Sequence, residues 1–121
     1  MGYTMADGRY ANTESVNLLA SGARTVTAAA YGPVTELGDR SKLRAKLVVT
    51  AKSGTMTSLD VSIETSQNGT DWYTAVAFTQ VGDSATATER KVCAVDRFVR
   101  VKYVIVGSNN YTFAVLDGEA S

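Results

Sequence analysis

The chain has no histidine and a single cysteine, and each scarcity removes a class of chemistry. Histidine is the side chain that titrates nearest neutrality and the commonest transition-metal ligand, so His-based acid/base catalysis and His-activated nucleophiles are excluded. Cys93 alone cannot close an intrachain disulfide or supply a Cys/His zinc cluster. No metal or other cofactor is expected. Pro33 is the one proline, and no run of eighteen apolar residues occurs, which removes a transmembrane helix and a membrane partner. Net charge of one sign is also missing, since 12 basic residues balance 12 acidic ones. Nucleic-acid binders rely on excess positive charge to displace counterions from phosphate, so no nucleic-acid partner is expected. The N-terminus carries no apolar run of the signal-peptide kind, which predicts synthesis in the cytoplasm. Ala6 stands where a myristoylation pattern requires Ser or Thr.

What is present reads as β structure. A chain of 121 residues fits one domain, and one this size buries roughly two-thirds of its unfolded surface, enough for a core without covalent staples. Residues 1–14 have little periodicity and read as an extended N-terminal arm, leaving 15–121 as the folded domain. From Ser15 onward, short runs rich in β formers fall at Ser15–Ala20, Ala23–Tyr31, Arg44–Ala51, Thr57–Ser66, Asp71–Val81, Ala85–Cys93, Arg97–Val106 and Tyr111–Leu116. Between them lie turn formers such as Ser21-Gly22, Ser53-Gly54, Asn68-Gly69 and Gly82-Asp83, with no gap long enough for a crossover helix. The expectation is an all-β, antiparallel, jelly-roll-like β-sandwich of about eight strands. Gly32–Leu43 carries no clear pattern and reads as a long loop.

Alternation selects the buried faces. Leu59, Val61 and Ile63 share one side of their strand, opposite Asp60, Ser62 and Glu64. Val99, Val101, Tyr103 and Ile105 face inward with Arg100 and Lys102 outward, and Tyr111, Phe113 and Val115 repeat the pattern. The same rule assigns Trp72, Val76 and Phe78 to the core and leaves Tyr73 outside. Asn68-Gly69 is the preferred pair for a two-residue type I′ hairpin. Cys93, between Val92 and Ala94, reads as a small buried hydrophobe.

Candidate chemistry is sparse. Arg40, Lys42, Arg44 and Lys46 fall at every second position, forming a one-sided positive stripe that could dock on an acidic surface. The plainer account is a solvated strand face, paired across strands with Asp60 and Glu64. Asp60 and Glu64 themselves lie four positions apart, roughly 13 Å along a strand, beyond the spacing of about 6.5–9.5 Å at which two carboxylates cooperate in inverting glycosidases. No nucleophile or phosphate-loop motif accompanies them, so no catalytic residue is assigned.

Two resemblances follow from these residues. Ser66-Gln-Asn-Gly-Thr-Asp-Trp72, followed by Arg97-Phe-Val-Arg-Val101, resembles the core of discoidin-like jelly rolls, whose hairpin reads Ser-x-Asp-Gly-x-x-Trp. Asn68 replaces the usual Asp, and nothing matches the ligand loops of those domains, so lipid or sugar binding does not carry over. More of the chain, through Val16–Thr27, Lys46–Thr55, Ser58–Ser66 and Trp72–Gln80, resembles small β-sandwich virion proteins of tailed bacteriophages. The arm and Gly32–Leu43 fall outside that resemblance. It implies a non-enzymatic structural protein of the phage particle: a capsid decoration or cement protein bound to the major capsid protein or other virion proteins, located in the virion. Alternatives are a tail, neck or baseplate accessory protein, or a carbohydrate-binding module for host attachment. The expected contacts are Tyr3, Arg9 and Tyr10 in the arm and Arg40, Lys42 and Arg44 in the stripe. Exposed sheet edges and a detachable arm predict a homo-oligomer.

Overall fold

The computed structural model describes residues 14–25, 27–54, 58–82, 86–107 and 110–120, so most of the expected arm, with Tyr3, Arg9 and Tyr10, lies outside the described residues. Glu14 is the first residue of β1 (Glu14–Val16), which is followed by β2 (Leu19–Arg24), β3 (Thr27–Tyr31), β4 (Thr35–Glu36) and β5 (Lys42–Lys52). Then come β6 (Ser58–Ser66), β7 (Tyr73–Ala77), β8 (Ala87–Ala94), β9 (Phe98–Val106) and β10 (Tyr111–Ala120). All strand pairs are antiparallel, in two five-stranded sheets.

In the first sheet the order is β1-β10-β5-β8, with β2 also on β10; in the second it is β3-β9-β6-β7, with β4 also on β9. β1 and β2 pair with different stretches of β10, and β3 and β4 with different stretches of β9, so each couple acts as one interrupted edge strand. Counted that way there are eight strands, in the orders 1-8-3-6 and 2-7-4-5. This is the double-sheet arrangement of a jelly roll. The fold expected from alternation is therefore the fold observed.

The core lies between the sheets and is built from the predicted faces. Leu59 and Ile63 of β6, Val99 and Val101 of β9, and Tyr111, Phe113 and Val115 of β10 are each 0% exposed. β5 alternates most cleanly, with Leu43, Ala45, Leu47 and Val49 buried. Burying such side chains is worth roughly 1.5–3 kcal/mol each, which makes these faces the main source of stability. Cys93 packs partly buried against the core, and desolvation pushes its thiol pKa up, as expected of a hydrophobe-like thiol.

Four local expectations are corrected. Trp72 is not in the core. β6 and β7 shift register between Ile63 and Glu64, so Val76 pairs with Ile63 but Thr74 pairs with Glu64. Ala75 is the extra residue of this bulge, and it turns Thr74 and Trp72 away from the side that Val76 and Phe78 share. Asn68-Gly69 does not form a two-residue hairpin, because β6 ends at Ser66 and β7 starts at Tyr73. Side chains close the longer loop: Ser66 Oγ accepts the Gly69 N–H at 2.9 Å, and Asn68 Oδ1 accepts those of Thr70 at 2.8 Å and Asp71 at 2.9 Å. The segment 25–26 separates β2 and β3, which belong to different sheets, so Ala23–Tyr31 is not one strand. Within Gly32–Leu43, β4 pairs with β9 and Leu37 is 0% exposed, its N–H donating to Arg97 O at 2.6 Å.

Candidate functional site

Two outward sheet faces carry the charged and aromatic side chains. On the first sheet, β5 turns Lys42, Arg44 and Lys46 outward because Leu43, Ala45 and Leu47 point into the core. The stripe therefore exists, but Arg40 precedes the strand, in the turn after Leu37, where its Nη1 donates to Leu37 O at 3.2 Å. The proposed partners Asp60 and Glu64 are not across from it. β5 pairs with β8 and β10, whereas β6 lies in the other sheet. Directly opposite Lys46 stands Arg90 of β8, and opposite Arg44 stand Val92 on one side and Glu119 on the other. Like charges placed opposite one another across strands are destabilising. A neutral chain thus gathers Lys42, Arg44, Lys46 and Arg90 on one face, beside Val92, which is 57% exposed. Arg90 was missed from sequence because its partner strand was unknown and because Glu89, Arg90 and Lys91 are three charges in a row, which hide the period of the strand.

On the second sheet, Arg100 of β9 lies between two rings, its guanidinium carbon 3.9 Å from the Tyr31 centroid and 4.2 Å from that of Trp72. Its Nε and Nη2 both reach Glu64 Oε1 at 2.8 Å. Tyr31 arrives by way of β3, in register with Lys102 on β9, and Trp72 through the bulge of β7. Cation–π contacts and a charge-assisted pair thus lock one side chain. Next to this stack, a shallow groove of about 230 Å³ passes Ser62, Thr74, Lys102 and Asp60. Tyr73 is 54% exposed, but not through the expected alternation: the bulge sets it in register with buried Thr65, at the open start of β7, where its hydroxyl donates to Asp96. That bond, followed by desolvation and the Asp96 charge, raises the Tyr73 pKa.

A third feature is a cleft of about 330 Å³ between residues 79–82 and the start of β8, containing Glu89. Its carboxylate accepts the Thr79 N–H at 2.7 Å and the Thr79 hydroxyl at 2.8 Å. Desolvation raises the Glu89 pKa, but the two Thr79 donors and the Lys91 charge outweigh it, so the carboxyl titrates below the ordinary glutamate range. Glu89 is thereby held ionised, the wrong state for a general acid near neutrality. Among the described residues no three His, Cys, Asp or Glu side chains come together as a metal site. No helix there is long and apolar enough to cross a membrane.

No family model and no curated protein matches the chain. Among solved structures, a chain of infectious bursal disease virus, Gx strain, superposes with a TM-score of 0.58 at 7% identity, over 89% of this chain and 32% of that one. The corresponding chain of the Gt strain gives 0.57 at 8% identity, over 89% and 32%. What they share is the fold. The present chain spans about a third of the length of those viral chains, 32% in each case. A CBM4 structure superposes at 0.48 with 17% identity, over 84% of this chain and 79% of that one.

Proposed function

We propose that the chain is a non-enzymatic structural protein of a tailed-phage particle, a decoration protein that cements the assembled capsid and takes the major capsid protein as its partner. The observation that carries this reading is the cross-strand basic face of Lys42, Arg44, Lys46 and Arg90 on a chain of zero net charge. An acidic shell surface is the electrostatic complement of such a face. The jelly roll shared with a chain of a virus, and the motif resemblance to phage virion proteins, support the same reading. Its mechanism is mechanical: a protein that binds only the assembled lattice stabilises that lattice by mass action, and many weak contacts add through multivalency. Tyr3, Arg9 and Tyr10 of the arm form a second point of attachment in this scheme.

The test is occupancy on purified shells stripped of the protein. Lys42→Glu combined with Arg44→Glu should bind less than the parent chain, with the gap narrowing as salt rises. Removal of residues 1–13 should lower occupancy without unfolding the domain. Equal occupancy of the charge-reversed and parent chains would remove the basic face from the proposal. Imaging of whole particles separates the head from the tail, neck and baseplate.

A second reading, a carbohydrate-binding module for host attachment, is favoured by Trp72 and Tyr31 standing on an outer face near a groove that mixes Asp60, Ser62, Thr74 and Lys102 with Ala77, Phe78 and Val104. Arg100 occupies the space between the rings, so a sugar would stack on their far faces. A glycan array with no signal at high protein concentration removes this reading.

A further inference from the structure

β8 is the longest regular edge of the two sheets. It pairs with β5 through eight consecutive registers without a shift, and among the described residues no strand lies on its other side. The opposite edge of that sheet is interrupted between β1 and β2, and β7 is five residues long with a shifted register. A long straight edge is a template for pairing, which proteins commonly block with a charge pointing inward. β8 has such charges. Its inward residues are Ala87, Glu89, Lys91 and Cys93, while Thr88, Arg90, Val92 and Ala94 point outward.

We propose that β8 pairs antiparallel with β8 of a second copy, about a twofold axis at Arg90, with Glu89 of each copy facing Lys91 of the other. The register follows from charge and parity. Pairing with an axis between two residues sets inward side chains against outward ones, which a continuous sheet does not allow. An axis at Lys91 opposes lysine to lysine, and one at Glu89 opposes glutamate to glutamate. The axis at Arg90 instead makes two Glu89–Lys91 pairs, two Thr88–Val92 pairs and two Ala87–Cys93 pairs. Its one unfavourable contact is Arg90 against Arg90, on the solvent side where salt screens it. Within one chain Glu89 and Lys91 approach only to 3.9 Å, so the lysine retains capacity for a second carboxylate, and each Glu89 oxygen, which takes one hydrogen bond from Thr79, can accept another. The inward charges then act as a register filter: they oppose other pairings and favour this one. The dimer also joins two basic faces into one, yet it rests on strand register alone and stands whether or not the particle reading holds.

The test uses the full chain and its native thiol. In the Ala87→Cys variant, residue 87 of each copy faces Cys93 of the other at directly opposed positions, close enough for a disulfide, whereas 87 and 93 of one chain lie about 20 Å apart along the strand. Oxidation should give a covalent dimer from Ala87→Cys and none from the parent chain. Sedimentation should show a reversible dimer of the parent, with Lys91→Glu raising the dissociation constant about tenfold and Glu89→Lys with Lys91→Glu restoring it. A parent chain that stays monomeric, an Ala87→Cys variant that does not cross-link, or a double reversal that fails to rescue would each overturn the proposal. Cross-linking of Glu89→Cys in place of Ala87→Cys would overturn the register.

Discussion

Arg100 holds Glu64 through both Nε and Nη2, each 2.8 Å from the same oxygen, Oε1, and the two residues are direct register partners on β9 and β6. Their side chains are 20% and 11% exposed. Breaking such a pair leaves a largely buried carboxylate uncompensated, and the Tyr31 and Trp72 contacts go with it. Arg100→Ala should therefore lower unfolding free energy by about 2–3 kcal/mol, read from the denaturant midpoint. Arg97→Ala removes the exposed pair with Glu36, whose side chains are 58% and 51% exposed, and should change stability by no more than about 0.5 kcal/mol. Equal effects of the two variants would contradict the locking role of Arg100.

Gly69 adopts φ +79°, and a Cβ added there would meet the Phe98 ring at an ordinary 3.8 Å. The cost of a side chain is thus backbone strain rather than a clash. Gly69→Val should destabilise the fold by about 1–2 kcal/mol and Gly69→Asn by less, since Asn tolerates the left-handed region. Thermal melting of the two variants gives the comparison.

Leu37 is 0% exposed although it lies in a segment without a strand pattern. Leu37→Ala should cost about 2–5 kcal/mol through lost burial and the cavity left behind. Val34→Ala, at a position 54% exposed in the same segment, should stay within about 0.5 kcal/mol. A melt showing both variants unchanged would mean that this segment does not seal the core.

The two perturbed surface acids bear on stability at opposite ends of the pH scale. Glu89 has its folded pKa lowered, so its contribution is fully present above the ordinary glutamate value and is lost as pH falls through the folded value. Tyr73 has its folded pKa raised, so the Asp96 bond contributes below the ordinary tyrosine value and is lost as pH rises through the folded one. Glu89→Gln should flatten the acid limb of a melting-temperature profile, and Tyr73→Phe the alkaline limb. A profile in which neither limb responds would contradict these assignments.

Much of the core was legible because a strand writes its parity locally. Leu59, Val61 and Ile63 need no knowledge of their neighbours to be assigned inward, and neither do Tyr111, Phe113 and Val115. The Trp72 assignment failed for the complementary reason. One extra residue at Ala75 reverses parity, and a bulge depends on the partner strand, which local alternation does not reveal. Leu37 escaped notice because a single apolar residue carries no period. Of the candidate surface, Lys42, Arg44 and Lys46 could be read from spacing, while Arg90 joined them only once β8 was known to lie against β5.

By itself, then, the chain's order of residues determined that it is all-β, which side of most strands is wet, and that histidine chemistry is absent. Tertiary structure alone decided that Lys46 meets Arg90, that Arg100 sits between Tyr31 and Trp72, and that β8 closes a sheet edge. The division is physical. Inward and outward alternate through the geometry of one strand, whereas strand order is chosen by burial and hydrogen bonding between segments far apart along the chain.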